Sequence, residues 1–381
     1  MNKKKLLLVT RNFPPLVGGM EKLNFNIFQS LLSDFEVFVS APTGSKKYHK
    51  STIFTEFSPA PLWLYLISSF FKTIMLSKRV KPNIVFCGSG SAILAGYFSA
   101  KITGAKLVCY LHGLDIVADS VIYQNLFIPL VKKSDLILVN SNHTKKLAID
   151  AGMDGNKVNI LAPGTALPCM NNRALLEAGF RQEYNLDTCP FLLIVGRLTP
   201  RKGIQEFIMG VMPSLIVEYP QLKLLIVGGE SLESIKTHGG IRDKLHQLIE
   251  SMSMQQNIRL LGGLSDETLS AAFFSASALI FPVLEIKNDV EGFGMVAIEA
   301  AAHGLPSVGF SVGGVPDAIG HGKSGWLVPS GEYENMEQKI KTILNSKLSA
   351  ELTEDSITNY AKQFEWSLFE ERLKGFLEKG F

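Results

Sequence analysis

Cysteine is scarce in this sequence, and the few cysteines are not arranged for cross-linking or for binding a metal. Four occur among 381 residues, Cys87, Cys109, Cys169 and Cys189, and no two of them form a CxxC pair. This excludes a dense disulfide framework and gives no zinc-binding motif. The pattern is typical of a protein that stays reduced.

A long apolar run is also missing. The stretch Leu62–Phe71 ends at Lys72, well short of the roughly 20 apolar residues that span a bilayer. Near the start only Leu6–Val9 precede Thr10 and Arg11, whereas an export signal needs roughly 7–15 apolar residues. We therefore expect a cytoplasmic protein, either soluble or bound peripherally to the inner face of the cell membrane.

The chain has little excess of either charge, with 38 Lys and Arg against 35 Asp and Glu and a formal charge of +3. No nucleic-acid partner is expected from such a balance. The charge is unevenly distributed, however: residues 1–170 contain 19 basic and 9 acidic residues, and residues 171–381 contain 19 and 26. A basic half can indicate an anionic partner, and it can equally reflect two domains with different solvated faces.

Short runs rich in Val, Ile and Leu alternate with longer amphipathic segments along the chain. Such runs, bounded by Gly, Pro, Asn or Asp, predict buried strands of a parallel sheet with helical crossovers. The predicted strands are Lys5–Thr10, Glu36–Ser40, Ile84–Cys87, Lys106–Leu111, Leu136–Val139, Val158–Leu161, Phe191–Val195, Leu222–Val227, Ile258–Leu261, Ala278–Phe281, Ser307–Phe310 and Gly325–Val328. Twelve strands are more than one domain with a single hydrophobic core ordinarily contains, so we expect an α/β protein with two doubly wound sheets.

The boundary between the two sets of strands is predicted near Asn171–Pro190. We assign residues 1–170 to an N-terminal Rossmann-like domain, 171–189 to a linker and 190–355 to a second Rossmann-like domain. Residues 356–381 are predicted to be a closing helix that contains Trp366. Ligands of such sheets bind outside the carboxyl ends of the strands, so the residues that follow strands are the functional candidates.

A glycine pair, Gly18-Gly19, separates the first strand from a helical pattern that starts at Lys22. Glycine lets backbone N–H groups approach an anion at a helix N-terminus, although a tight turn would use the same residues. The GxGxxG fingerprint and its acidic residue about 20 positions later are absent. An NAD-dependent dehydrogenase is therefore excluded.

Two further segments follow strands and combine glycine with charge. Arg197 and Lys202 lie in GRLTPRKG; they could hold a phosphate, or they could belong to a solvated basic turn. Glu291 and Glu299 lie in EGFGMVAIE. Their carboxylates could accept hydrogen bonds from sugar hydroxyls, and the helix N-terminus between them could bind a phosphate. Each glutamate taken singly could be an ordinary surface residue. His112 follows Lys106–Leu111, a position that favours function over a structural role.

These segments resemble the family 4 retaining glycosyltransferases, which have the GT-B fold of two Rossmann-like domains. The resemblance covers nearly the whole chain in the right order. It rests on PPLVGG at Pro14–Gly19, GRLTPRKG at Gly196–Gly203, VGG at Val227–Gly229, the E-x7-E motif EGFGMVAIE at Glu291–Glu299, and GGVPDAI at Gly313–Ile319 followed by SGWLV at Ser324–Val328.

The resemblance implies a sugar nucleotide held mainly by the C-terminal domain, and a closing helix that crosses back onto the N-terminal domain. It implies a role for each matching residue. The diphosphate would be held by Arg197, Lys202 and the helix amides at Met295 and Val296, and covered by Gly18 and Gly19. The donor sugar would be held by Glu291 with the backbone of Phe293 and Gly294, and His112 would lie beside its reacting carbon. Glu299 would bind the ribose, and Gly228 and Gly229 would lie near the nucleoside.

The phrase DVEGFG resembles mannosyl-transferring members, so GDP-mannose is the first candidate donor and a UDP-sugar the next. Gly228-Gly229-Glu230 departs from the family's Gly-x-Gly-Pro and leaves the base open. No DxD motif is present, and we expect neither a divalent metal nor another cofactor. A sugar-nucleotide 2-epimerase of the same fold is the alternative activity, whereas a non-catalytic subunit would have lost the charged residues.

The expected acceptor is a glycan, lipid-linked or on the cell surface, as in polysaccharide or O-antigen biosynthesis, and it would bind the basic N-terminal half. The aromatic stretch Leu62–Phe71 lies near basic residues, as an interfacial contact with anionic lipid requires. A helix buried in its own domain would explain the same stretch.

Overall fold

A computed structural model describes residues 3–49, 52–58, 61–230, 240–345 and 352–379. The last two residues of the predicted closing helix, 380 and 381, therefore lie outside the described residues. Contacts divide the chain into two compact units. Unit 1 comprises Met1–Gly164, Asn288–Phe293 and Trp366–Phe381, and unit 2 comprises Thr165–Lys287 and Gly294–Glu365.

Unit 1 is built on a parallel sheet of seven strands in the order β3-β2-β1-β4-β5-β6-β7. The strands are β1 (Lys4–Val9), β2 (Phe35–Pro42), β3 (Ile53–Phe57), β4 (Ile84–Cys87), β5 (Lys106–Leu111), β6 (Leu136–Val139) and β7 (Val158–Ile160). The strand order reverses at β1, which places the topological switch point between β1 and β4.

The helices of unit 1 connect these strands, and one more comes from the end of the chain. They are α1 (Gly19–Leu31), α2 (Leu62–Val80), α3 (Ile93–Thr103), α4 (Leu114–Val117), α5 (Ile128–Val131), α6 (Asn142–Asp150) and α16 (Trp366–Lys379). The last helix buries Phe369, Leu373 and Leu377 in the same apolar cluster as Phe28 of α1. Each such side chain contributes about 1.5–3 kcal/mol when fully buried, so α16 is an integral part of this unit.

Unit 2 contains a parallel sheet of six strands in the order β10-β9-β8-β11-β12-β13. The strands are β8 (Phe191–Val195), β9 (Lys223–Val227), β10 (Ile258–Gly262), β11 (Ala278–Phe281), β12 (Ser307–Phe310) and β13 (Gly325–Val328). Here the order reverses at β8, so the switch point lies between β8 and β11.

The helices described for unit 2 include one within the predicted linker. They are α7 (Arg173–Glu183), α8 (Ile204–Gly210), α9 (Met212–Glu218), α10 (Ile241–Ser251), α11 (Asp266–Ser275), α12 (Met295–Ala302), α13 (Val315–Ala318), α14 (Tyr333–Leu344) and α15 (Glu354–Lys362). Arg173 of α7 forms an ion pair with Glu354 of α15. Segment 171–189 thus contains a helix that packs within unit 2, and segment 356–381 contains parts of two helices that belong to different units.

The prediction of an α/β protein with two doubly wound parallel sheets is confirmed. None of the helices that the structure describes is both long and apolar enough to cross a membrane.

Candidate functional site

In unit 1, His112 is held at the carboxyl end of β5. It is only 8% exposed, and its Nε2 lies 2.9 Å from the carbonyl oxygen of Gly88, which follows β4. A carbonyl oxygen can only accept a hydrogen bond, so Nε2 carries a hydrogen and is the donor. The position of the ring is fixed by a neighbouring strand end rather than by a solvent contact.

Asp115 joins the two turns on either side of this histidine. One carboxylate oxygen accepts the backbone N–H of His112 at 2.8 Å, and the other accepts the N–H of Gly90 at 3.0 Å. The ring of Tyr110 meets His112 edge-on, with centroids 4.8 Å apart. Burial raises the pKa of Tyr110 well above its ordinary value, so this phenol remains protonated beside the histidine.

The loop that carries Glu291 belongs to unit 1 and packs on the His112 turn. At Gly292 there is no room for a side chain, because a Cβ would overlap the carbonyl oxygen of His112 and lie 2.7 Å from Nδ2 of Asn140. The Thr144 hydroxyl donates to the Gly292 carbonyl at 3.5 Å. Residues 288–293 are therefore fixed against the ends of β5 and β6.

The glycine loop after β1 lies at the same edge of this sheet. Gly19 is the first residue of α1, and Asn24 on that helix donates from Nδ2 to the Gly88 carbonyl at 3.3 Å. The same carbonyl accepts the ring N–H of His112. A shared acceptor thus connects the Gly18-Gly19 helix start to the histidine.

A carboxylate already lies at the start of α1. Glu21 is in the first turn and accepts a hydrogen bond from Nδ2 of Asn12 at 2.7 Å. A Cβ at Gly18 would overlap its other oxygen. An anion that approached Gly18 and Gly19 would therefore meet the Glu21 carboxylate.

In unit 2, Lys202 lies across the carboxyl ends of two strands. Its Cε lies 3.2 Å from the position of a Cβ on Gly196, which follows β8, and its ammonium is 4.7 Å from the ring centre of Phe281, the last residue of β11. Within the same basic segment Arg197 is exposed, whereas Arg201 is buried. The cations of the segment therefore occupy three different environments.

The N-terminus of α12 borders the same aromatic ring. Gly294 precedes the helix with a φ of 100°, and a Cβ there would lie 2.9 Å from Phe281. The first-turn N–H groups of Met295 and Val296 have no acceptor within the helix, and the helix dipole favours an anion at this end. Lys202 and the start of α12 thus adjoin one ring, and each of them can bind an anion.

Glu291 and Glu299 lie on one continuous segment but in different units. Residues up to Phe293 are counted with unit 1, and those from Gly294 onward with unit 2. Both glutamates are half-buried. The Glu299 carbonyl accepts from Nδ1 of His303 at 2.7 Å. The E-x7-E segment therefore changes unit in its middle.

The segment Gly228-Gly229-Glu230 shows a local reason for its departure from the family pattern. The Glu230 carboxylate accepts the backbone N–H of Ile241, the first residue of α10, at 2.6 Å. Within the described residues nothing lies within 4 Å of the Cβ position at Gly229. The carboxylate binds a helix start, and the neighbouring backbone is open.

Several residues of these sites were not identified from the sequence. They are Gly88, Asp115, Asn140 and Thr144 in unit 1 and Phe281 in unit 2. Gly88, Asn140 and Phe281 lie at or directly after the ends of predicted strands, a signal that could have found them. In the described ranges no three His, Cys, Asp or Glu side chains come together as metal ligands would.

Two family models cover most of the chain. Residues 17–167 match the family described as Glycosyltransferase Family 4, and residues 178–364 match the family described as Glycosyl transferases group 1. One similar protein is the GDP-mannose-dependent alpha-(1-6)-phosphatidylinositol monomannoside mannosyltransferase of Mycolicibacterium smegmatis, which is 23% identical over an alignment of 350 residues that covers 89% of each chain. Another is the capsular polysaccharide biosynthesis glycosyltransferase CapM of Staphylococcus aureus, 26% identical over 290 residues, covering 74% of this chain and 72% of CapM.

Among solved structures, Anabaena Alr3699/HepE in complex with UDP is similar with a TM-score of 0.81. The match covers 99% of this chain and 100% of that chain at 19% sequence identity. At that identity the likeness concerns the fold, and the fold is GT-B.

Proposed function

The chain belongs to the family 4 glycosyltransferases of the GT-B fold, and we propose that it moves a mannose from GDP-mannose to a lipid-linked or cell-surface glycan. A nucleotide sugar as donor follows from the family. The choice of GDP-mannose is supported by the segment DVEGFG and by the name of the mannosyltransferase relative, whose chain is covered over 89% of its length. A UDP-sugar is the next candidate.

One observation carries this proposal: Lys202 and the first turn of α12 adjoin the same ring, that of Phe281. A diphosphate placed there would meet one ammonium group and the N–H groups of Met295 and Val296. Arg197, exposed in the same loop, would add a second cation that can bind an oxygen pair. These groups neutralise the charge that develops as the nucleotide leaves, and preorganised donors of this kind are often the largest catalytic contribution. We therefore propose transfer without a divalent ion.

Retention of the anomeric configuration is part of the proposal. The leaving phosphate would accept the proton of the acceptor hydroxyl on the same face of the sugar. His112 would then orient the sugar or stabilise its positive charge rather than act as the base. The hydrogen bond from Nε2 to the Gly88 carbonyl supports an orienting role, because it fixes the ring and commits Nε2 to a donor role. Glu291 would hold the donor sugar and Glu299 would hold the ribose. Gly18-Gly19 would cover the phosphates, which requires the Glu21 carboxylate to move from its place beside Gly18.

The acceptor would bind unit 1, which contains most of the basic N-terminal half. The M. smegmatis relative is named for a phosphatidylinositol mannoside acceptor, and the S. aureus relative for capsular polysaccharide. Both names support a lipid-linked or surface glycan. A location at the inner face of the cell membrane fits such an acceptor.

A donor screen tests this function. Thermal unfolding is measured with GDP-mannose, UDP-glucose, ADP-glucose and dTDP-glucose, and the products of each incubation are analysed by NMR. A ligand at about 100 times its Kd stabilises by roughly 2.7 kcal/mol, so we expect the largest shift with GDP-mannose. Transfer or slow hydrolysis with an α-configured product would agree with the proposal. An isomerised nucleotide would instead identify a 2-epimerase, and an inverted product would contradict retention.

A further inference from the structure

Helix α2 presents its apolar side to solvent. Trp63, Ile67, Phe71 and Met75 are 63%, 53%, 62% and 71% exposed. They recur every four residues, and because successive helical residues are about 100° apart, the four lie within an arc of roughly 120°. We call these four residues the outer stripe of α2. Single exposed apolar residues are common, but a continuous stripe on one helix indicates a binding surface.

The buried side of the same helix combines apolar side chains, among them Leu76 and Val80, with polar ones. Ser69, Thr73 and Ser77 are buried, and their hydroxyls have partners inside unit 1. The Thr73 and Ser40 hydroxyls are 2.7 Å apart, and Ser77 donates to the carbonyl of Ile74 at 2.9 Å. The apolar side chains of the stripe are therefore not needed to attach α2 to its own sheet.

The stripe lies beside positive charge. Helix α2 has three basic residues and no acidic one. On the helix Lys78 falls inside the arc of the stripe, and Arg79 and Lys72 lie next to it. A tryptophan at one end, aliphatic and aromatic side chains along the face, and basic residues on its flank are the features of a helix that lies in a membrane interface.

We propose that the outer stripe of α2 is a membrane-docking surface and that its partner is a bilayer that contains anionic phospholipid. Charge complementarity favours this partner, because Lys78 and Arg79 would face the lipid headgroups while the stripe enters the apolar layer. A second copy of the chain fits poorly. A twofold interface through α2 would bury Lys78 within the arc of the stripe, and α2 has no acidic residue to pair with it. The inference deepens the proposed function by assigning the surface through which a lipid-linked acceptor would be reached.

Co-sedimentation of the full chain with vesicles tests the proposal at low salt. Phosphatidylcholine vesicles with and without phosphatidylglycerol are compared for the wild type, for Phe71→Gln/Met75→Gln and for Lys78→Glu/Arg79→Glu. We expect binding only with phosphatidylglycerol, weakened by salt, and reduced about tenfold or more in both variants.

Two control variants make the same chemical changes in unit 2. Leu175→Gln/Val217→Gln removes two comparably exposed apolar side chains, and Lys323→Glu/Lys362→Glu makes the same change of net charge at exposed lysines. Both are expected to bind like the wild type. Wild-type binding by Phe71→Gln/Met75→Gln would overturn the proposal. So would a dimer in sedimentation velocity that this variant dissociates, since the stripe would then join two copies.

Release of GDP from GDP-mannose in vesicle-free solution separates the two proposals. The α2 variants should release GDP at the wild-type rate, because the stripe has no part in the chemistry. Turnover without any vesicle binding would overturn the docking surface and leave the proposed function intact. Vesicle binding without turnover of any nucleotide sugar would overturn the proposed function, and the docking surface on α2 would still be supported.

Discussion

At the scale of single residues, the anion site proposed for unit 2 depends on a lysine whose position no local pattern specifies. GRLTPRKG contains three cations, and their spacing does not tell which of them faces a phosphate. The structure separates them, because Arg201 is buried, Arg197 is exposed, and Lys202 reaches the ring of Phe281. Phe281 is distant in sequence and adjacent only through the pairing of β8 with β11. The residue types of the site were predictable, whereas their partners were not.

Removal of either proposed phosphate cation should slow the reaction strongly. Lys202→Ala and Arg197→Ala are each expected to lower kcat roughly a hundredfold or more, since one charge-stabilising donor at a reacting centre is worth about that much. Lys323→Ala, which removes an exposed lysine of the same unit, should leave kcat unchanged. Steady-state rates of nucleotide release measure this effect. Near-normal turnover in both cation variants would contradict the proposed role of Lys202 and Arg197 in binding the phosphates.

At the scale of elements, most strands were predictable because each is a short apolar run that ends at a turn residue. Ile84–Cys87, Lys106–Leu111 and Ala278–Phe281 have the predicted bounds. The prediction missed β3, Ile53–Phe57, because it is an edge strand that is buried fully only at Phe57, and Thr55 and Glu56 interrupt its apolar pattern. Helix α1 begins at Gly19, three residues before the predicted start.

The loop 288–293 illustrates what sequence could not provide. Its glycines and Glu291 were recognised, but its packing on the His112 turn joins residues that are far apart in the chain. Thr144 and Gly292 are 148 positions apart. Contacts between residues so far apart in the chain depend on the tertiary fold, and a local sequence pattern cannot predict them.

A side chain at Gly292 should displace this loop. In Gly292→Ala the new Cβ would overlap the His112 carbonyl, so the loop must move away from His112 and carry Glu291 with it. A displacement of about 1 Å at a catalytic group can cost about a hundredfold, and we expect a loss of tenfold or more in kcat/KM. Gly263→Ala is the control, because its Cβ would meet no described residue within 4 Å. Equal activity of both variants and the wild type would contradict a positioning role for the loop.

At the scale of the whole molecule, the small net charge conceals two different halves. The basic half forms most of unit 1, which carries the outer stripe of α2. The acidic half forms most of unit 2, in which Lys202 and the start of α12 both adjoin the ring of Phe281. This division agrees with an anionic lipid partner for one unit and a nucleotide sugar for the other. The division of charge was visible in the sequence. The structure adds the exposure of Trp63, Phe71 and Met75, which locates the proposed lipid-binding surface within the basic half.

Turnover of GDP-mannose in excess EDTA is the most direct test of the proposed metal-independent transfer. The full chain is incubated with GDP-mannose and a lipid-linked glycan extract, and released GDP is measured with EDTA and with added Mg²⁺. We expect equal rates in the two conditions, because Lys202, Arg197 and the amides of α12 are the groups proposed to stabilise the leaving diphosphate. A strict requirement for Mg²⁺ or Mn²⁺, or no release from GDP-mannose under either condition, would contradict it.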